Sequence, residues 1–435
     1  MKISVIGTGY VGLVSAVGWS DLGHEVTCID IDEEKLNKIK NGHSPIHEDG
    51  IEELLDKGVS EGRIKTDSSF SDIAESDIAI ISVGTPPNED GSMNDEFIRS
   101  CSASIGEEIK KSQKFNIIAV RSTVLPGTTD NTVKRIIEGK SGKKAGKDFG
   151  LVMIPEFLRE GHAISDFKNP DRIIIGFEDE RSKRILQEMH KPFNCPVLFT
   201  DIATAEMVKY ASNAFLATKV AYTNEMARIC EKIGVDIDRI TEYIGMDKRI
   251  GREFLVAGAG FGGSCFPKDV KGLIKKANEM HTEPKILEAA MESNEIQKKH
   301  IVDMIKEKTG LKDRKIGILG LAFKADTDDV RESPATDIIK GLLDDGAVVR
   351  AYDPHAMKNM KKIISGIEYA ASIDDCIKGC DAVVILEAWP QFMLGAKRYK
   401  EMLGDSILFD ARRIFSDREA GEAGLRYVCI GRGEK

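Results

Sequence analysis

The chain begins Lys2-Ile3-Ser4-Val5-Ile6-Gly7-Thr8-Gly9-Tyr10-Val11-Gly12, an apolar strand running through G-x-G-x-x-G into an apolar helical pattern. That order confines the opening to a strand–turn–helix. Gly7 makes the tight turn, Gly9 lets a ligand approach the backbone, and Gly12 lets helix and strand pack closely. Tyr10 and Val11 then stand at the helix N-terminus, where backbone N–H groups and the helix dipole suit a phosphate. A second strand, residues 25–29, ends on Asp30, roughly 20 residues past the glycines, where the acid that hydrogen-bonds an adenosine ribose belongs. A carboxylate there repels a 2′-phosphate and no arginine follows it, so the expected cofactor is NAD rather than NADP. Glycines alone would serve any tight turn; strand, helix and acid together specify a dinucleotide.

Short apolar strands continue around residues 78–83, 116–120 and 150–154 with amphipathic helical patterns between them, the wiring of parallel strands joined by right-handed crossovers. From Asp201 to Gly234 the sequence is almost free of glycine and proline and apolar at helical spacing, which predicts one extended helix able to join domains and to form a dimer surface. Helices are expected at 236–245, 268–279 and 284–307. A second strand-and-glycine start at 314–324 follows, then a helix at 334–345, a strand at 347–352 and Asp353-Pro354. The expected fold is therefore α/β, with two Rossmann-like doubly wound domains joined by a helical region with a long central helix. The boundaries fall at 1–200, 201–307 and 308–435. The second start lacks G-x-G-x-x-G, so one half is expected to take NAD and the other a nucleotide-bearing substrate.

At 435 residues the chain exceeds a single ordinary core, and 41% hydrophobic with 31% charged residues describes a soluble protein. A net charge of −9 argues against nucleic acid as a partner. No apolar run approaches about 18 residues, and the first strand starts with no leader before it, so no membrane span and a cytoplasmic location are expected. Eight cysteines without disulfide spacing agree with a reducing compartment. Cys376 and Cys380 lack an accompanying histidine or second pair, so no metal is expected.

The chemistry-bearing stretch is Gly260-Phe261-Gly262-Gly263-Ser264-Cys265-Phe266-Pro267-Lys268-Asp269, a thiol in a glycine-rich loop at a helix start. With Pro267 at the first helical position, Cys265 stands just ahead of an N-terminus whose partial positive charge favours thiolate. Glu206, Lys209 and Asn213 share a face of the long helix. By spacing alone they read as a solvated stripe with an ion pair between Glu206 and Lys209. Glu156 and Glu160 read as a surface pair, and Asp269 as an acid favoured by the dipole.

Taken together, Gly7 to Gly12, Val83-Gly84-Thr85-Pro86, Arg121-Ser122-Thr123-Val124, Pro155 to Gly161, Lys209 with Asn213, Arg249-Ile250-Gly251, the cysteine loop, and Phe323-Lys324-Ala325-Asp326 through Arg331-Glu332-Ser333-Pro334 resemble the UDP-glucose/GDP-mannose dehydrogenase family of nucleotide-sugar 6-dehydrogenases. The resemblance covers nearly the whole chain. It implies that a sugar C6 hydroxyl is oxidised to a carboxylate in two hydride transfers to successive NAD molecules. Cys265 would add to the intermediate aldehyde as a thiohemiacetal, which becomes a thioester that water hydrolyses. UDP-glucose giving UDP-glucuronate is the implied reaction, with GDP-mannose or a UDP-N-acetylhexosamine as the alternative substrate.

The same resemblance assigns Lys209 and Asn213 to the developing oxyanion, and Asp269, Thr123 and Glu160 to water and proton handling. It adds Lys35, Thr85, Thr123, Glu156, Lys268 and Arg331 to the cofactor contacts. Glu156, Phe157, Leu158, Arg159, Glu160, Lys209, Asn213, Phe254, Gly262, Lys324 and Arg412 fall to the substrate. The resemblance further implies a homodimer in which Arg249 reaches the site from the neighbouring subunit. Arg121 stands where lysine is common, and Phe254 where a tyrosine would add a hydroxyl. A sensor that binds both nucleotides without turnover would need none of Cys265, Lys209, Asn213 and Asp269.

Overall fold

The computed structural model describes residues 1–433. The chain divides within the long helix into two compact units, Met1–Ser212 and Asn213–Lys435.

The first unit is built on an eight-stranded sheet: β1 (Lys2–Ile6), β2 (Glu25–Ile29), β3 (Ile64–Asp67), β4 (Ile78–Ile81), β5 (Ile117–Val120), β6 (Gly150–Met153), β7 (Ile173–Phe177) and β8 (Val197–Thr200), in spatial order β3-β2-β1-β4-β5-β6-β7-β8. Alternate residues of each inner strand serve opposite faces. Ile78, Ile80, Ile117, Ala119 and Val152 enter one core, and Ala79, Ile81, Ile118, Val120, Leu151 and Met153 the other. Both faces are covered, which is why these strands read as continuous apolar runs. The expectation of all-parallel wiring fails at one place: β7 runs antiparallel to β6, with β8 parallel to β7. β7 and β8 form the end of the sheet beyond β6, and an antiparallel neighbour needs no crossover helix of the kind that joins parallel strands.

The second unit carries a six-stranded parallel sheet: β9 (Lys315–Leu319), β10 (Val348–Tyr352), β11 (Glu368–Tyr369), β12 (Ala382–Ile385), β13 (Ile407–Asp410) and β14 (Arg426–Cys429), in order β11-β10-β9-β12-β13-β14. Ahead of it come the rest of the long helix (Ile202–Ile233) and the helices Ile237–Gly245, Phe266–Glu279 and Lys285–Thr309. In both sheets the strand order reverses between the first strand and its later neighbour, β1/β4 and β9/β12, the switch point outside whose carboxyl ends ligands bind in open α/β sheets.

Gly12 shows how tightly the opening motif is built. A Cβ on it would lie 1.8 Å from the Gly7 carbonyl oxygen. Neither atom can move without shifting the strand or the helix, so Gly12→Ala should lower the unfolding temperature of the first unit by roughly 2–12 °C. Thermal scanning calorimetry checks this, and an unchanged transition would contradict the packing.

Candidate active site

The first unit gathers its predicted residues where strands end. Gly7 has φ +89°, and a Cβ on it would meet the Ser82 carbonyl oxygen at 2.8 Å, so the turns after β1 and β4 touch backbone to backbone. Gly9 faces open space. Tyr10 and Val11 begin a helix, Tyr10–Asp21, with no acidic residue in its first turn and no side-chain cap, as an anion site requires. Beyond β2, Asp30 Oδ2 accepts from Thr8 N at 2.7 Å and Thr8 Oγ1 at 2.6 Å, and Oδ1 accepts from Asp32 N at 3.0 Å. Burial alone would raise its carboxyl, but these donors and nearby Lys35 hold it below the usual carboxylate range. Lys35 itself lies 3.7 Å from Asp32. An ionised, half-exposed acid beside an open glycine turn fits the adenosine half of NAD.

The turns after β4, β5 and β6 hold Thr85, Thr123 and Glu156. Thr85 Oγ1 donates to the Thr123 carbonyl at 2.8 Å, joining two of these turns. Glu156 is not a surface residue: it is 6% exposed, and its Oε1 accepts from Lys209 Nζ at 2.8 Å with Lys209 at 3%. Glu156 Oε2 accepts from Leu158 N at 2.6 Å, which bends the chain so that the Phe157 ring lies 5.6 Å from Lys209 Nζ. Arg159 is exposed and forks onto Asp166, while Glu160 is half-buried.

The stripe expected on the long helix is not solvated either. Glu206 is fully buried and pairs not with Lys209 but with backbone, accepting from Gly127 N at 2.5 Å and Thr129 N at 2.8 Å. Burial raises its carboxyl above the ordinary value despite these donors. Glu206 thereby fixes the segment that leaves Thr123 one turn before Lys209. A second anchor escaped the sequence pattern: buried Glu48 accepts from Gly161 N at 2.7 Å and Ala163 N at 2.6 Å, and the Tyr10 hydroxyl also accepts from Gly161 N at 2.7 Å. Spacing could not reveal either acid, because their partners are backbone groups far away in sequence.

The second unit holds the thiol. Cys265 is the N-cap of the helix Phe266–Glu279 and is exposed, whereas Cys28, Cys101, Cys230, Cys376, Cys380 and Cys429 are buried and Cys195 is intermediate. Pro267 falls at the second helical position rather than the first, because the helix opens one residue early, on Phe266. Asp269, in the first turn, is 1% exposed; its Oδ2 accepts from Asn213 Nδ2 at 2.6 Å and its Oδ1 from Lys268 Nζ at 2.7 Å. The dipole is therefore not the only thing holding this acid. Gly262 has no room for a side chain, since a Cβ would lie 2.2 Å from the Glu332 carbonyl oxygen. Among the described residues no group of three or more His, Cys, Asp or Glu could hold a metal.

Beyond the second sheet, Arg412 follows β13. Its Nε donates to the Leu386 carbonyl at 2.9 Å and its Nη2 pairs with buried Glu387, whose carboxyl burial pushes up while Arg412 opposes. Gly258 packs under this guanidinium: a Cβ there would lie 2.8 Å from Arg412 Nη1. Lys324 sits over the Phe323 ring, and Phe254, at φ +65°, packs on Phe266. Arg331 pairs with Asp329, and its carbonyl accepts from Gly263 N at 3.0 Å. Arg249 is not drawn into this group; it lies 88% exposed on Asp247. Asp353, the echo of Asp30, is fully buried and spent on Leu321 N, Ala322 N and Trp389 Nε1, so it cannot reach a ribose as Asp30 can.

Known proteins match the chain over nearly its whole length. Residues 1–194 match the NAD binding domain, 203–296 the central domain and 317–417 the UDP binding domain of the UDP-glucose/GDP-mannose dehydrogenase family. A UDP-glucose 6-dehydrogenase of Bacillus subtilis is 42% identical over 99% of this chain and 98% of its own. One of Haloferax volcanii is 39% identical over 99% and 100%. A solved UDP-glucose dehydrogenase from Pyrobaculum islandicum has a TM-score of 0.91 at 38% identity, covering 98% of this chain and 96% of its own. The chain belongs to the UDP-glucose/GDP-mannose dehydrogenase family.

The buried Glu156–Lys209 pair yields a prediction. Burial would raise the Glu156 carboxyl, but Lys209 pulls it below its ordinary value. The resulting stabilisation is present above the unfolded carboxyl's pKa of about 4.3 and is lost as pH falls through the lowered folded value. Glu156→Gln should therefore cost about 3–5 kcal/mol at neutral pH by stranding a buried ammonium. The gap to wild type should close as pH drops below about 4. Denaturant titrations across pH measure it; a gap that does not vary with pH would contradict the pairing.

Proposed function

We propose that this chain oxidises UDP-glucose to UDP-glucuronate with NAD, and that Cys265 carries the sugar between the two oxidations. The observation that carries this reading is the exposed Cys265 at a helix N-terminus, one turn before a buried Asp269 bonded to Asn213. Family membership, and relatives named UDP-glucose 6-dehydrogenase at about 40% identity over the full length, support the substrate.

NAD, when bound, accepts the hydride from C6 in each oxidation. Gly7, Gly9, Tyr10, Val11, Gly12 and Asp30 would hold it, with Lys35, Thr85, Thr123, Glu156, Lys268 and Arg331 assigned further contacts. Lys209 shares its burial with the Glu156 carboxylate it is paired to, and its side-chain nitrogen is assigned to the oxygen on C6 as negative charge grows there. Asn213 is oriented by Asp269, and the amide's other hydrogen is assigned to the same oxygen. After the first oxidation the Cys265 thiolate adds to the aldehyde carbon, giving a thiohemiacetal that can lose a second hydride. The thioester that results is cleaved by water, which Asp269, Thr123 and Glu160 are assigned to orient and deprotonate. Phe157, Leu158, Arg159, Phe254, Gly262, Lys324 and Arg412 are the proposed remaining substrate contacts.

We assign residues 1–200 to NAD, 201–307 to the helical centre with the nucleophile and 308–435 to the UDP end; the family's three domain matches support these divisions. A homodimer is supported by Phe215, Tyr222 and Ile229, seven residues apart on the long helix and 65%, 49% and 45% exposed, a seam suited to a second copy. The exposed Arg249 would then serve the partner. No helix among the described residues is long and apolar enough to cross a membrane, and eight free cysteines support a cytoplasmic setting.

Two measurements test the reading. A panel of UDP-glucose, UDP-galactose, GDP-mannose and UDP-N-acetylated sugars should give the highest kcat/KM with UDP-glucose and two NADH per sugar; one NADH per sugar would reduce the enzyme to a simple alcohol dehydrogenase. Cys265→Ser should bind both ligands yet lose full turnover, and normal steady-state rates in that variant would refute the covalent route. On the assembly, Phe215→Glu should shift a dimeric mass in sedimentation to a monomeric one, and wild type sedimenting as a monomer would remove the seam.

A further inference from the structure

We propose that Asn294, with Gln297 and Asn224, is a positioning residue that holds the cysteine loop where it captures the aldehyde; this rests on the two-step reading above. The loop's approach, Gly258-Ala259-Gly260-Phe261, is buried but belongs to no helix or strand, so its backbone polar groups need other partners. Side-chain amides supply them. Gly258 N donates to Asn224 Oδ1 and Gln297 Nε2 to the Gly258 carbonyl, each at 2.8 Å. Asn294 takes both groups of one residue, accepting from Phe261 N at 2.8 Å and donating to the Phe261 carbonyl at 3.0 Å, as a neighbouring strand would. Asn224 and Gln297 are fully buried and Asn294 is 2% exposed.

Arg228 extends the clamp from the long helix, donating to Gln297 Oε1 at 2.7 Å and to Ser293 Oγ at 3.1 Å. Gly260, at φ +119°, accepts no side chain, since a Cβ would lie 2.9 Å from Asn294 Oδ1. Beyond Phe261 the chain is pinned again by Gly263 N to the Arg331 carbonyl, only two residues before Cys265. Asn224 Nδ2 has no acceptor among the described residues, so this amide is kept for its single bond to Gly258.

The reaction gives the clamp a purpose. Hydride removal from the C6 alcohol does not use sulfur. Capture does: Sγ forms a bond to the aldehyde carbon, the carbonyl π pair moves to oxygen, and that oxygen takes a proton. A misplacement near 1 Å costs roughly 100-fold in such a step. A slackened loop should therefore let aldehyde leave before capture, so that NADH forms without glucuronate.

The test is the ratio of NADH to UDP-glucuronate in Asn294→Ala, and in Asn294→Asp, which keeps the acceptor for Phe261 N and puts a carboxylate oxygen in place of the donor. The proposal expects wild type at two, both variants above two, glucuronate formation slowed roughly tenfold or more, and the KM for NAD within about twofold of wild type. A purely structural role would lower yield or melting temperature but leave the ratio at two. Either variant folded, at a ratio of two and with kcat near wild type, overturns the proposal alone. Wild type that makes no NADH from UDP-glucose removes the underlying reading as well.

Discussion

The hydrogen bond from Asn213 Nδ2 to Asp269 Oδ2, 2.6 Å long with both residues almost fully buried, ties the long helix to the helix that Cys265 begins. Neither side chain could sit there alone. A buried carboxylate without donors would neutralise or drive the helix open, and a buried amide without an acceptor would carry its full desolvation cost. Lys268 on the other carboxylate oxygen completes the balance. The thiol stays exposed while the acid one turn later is sealed, so reactivity and rigidity occupy successive turns of one helix.

The same logic recurs across the molecule. Glu156, Glu206, Glu48 and Glu387 are buried acids, and each answers backbone N–H groups or a cation. Glu206 and Glu48 lie in the first unit and fix the turns that carry Thr123 and Glu160. Glu387 lies in the second and fixes Arg412. Apolar side chains could fill these sites with less desolvation, but they would not hold a turn by its backbone. Buried polar contacts specify geometry more than they add stability.

The opening motif was legible because each glycine answers a local geometric need, and Asp30 because a fixed interval separates it from them. The long helix was equally plain, predicted from Asp201 to Gly234 and found at Ile202–Ile233. Strands β3, β7 and β8, and β11 to β14 of the second sheet, were not anticipated. They are short, β3 is half polar, and their pairing depends on neighbours far away in sequence. Within the site, the exposed cysteine was readable from its loop. The buried roles of Glu156 and Glu206 were not: Glu156 lies in a turn and its cation, Lys209, is 53 residues away, and on the long helix spacing cannot distinguish a solvated stripe from one facing distant backbone donors. Asn294 was silent for the same reason: an amide in a polar helix looks like surface until its partner at Phe261 is known.

The central claim is that the sugar is joined to Cys265 between the two oxidations. Acid quenching during turnover, followed by peptide mapping with mass spectrometry, tests it most directly. The account predicts a UDP-sugar adduct on the peptide containing Cys265, at the mass of a thioester, which appears with substrate and NAD and vanishes as the sugar is consumed. Two NADH per sugar with no adduct on that peptide, together with full turnover after Cys265→Ala, would contradict it.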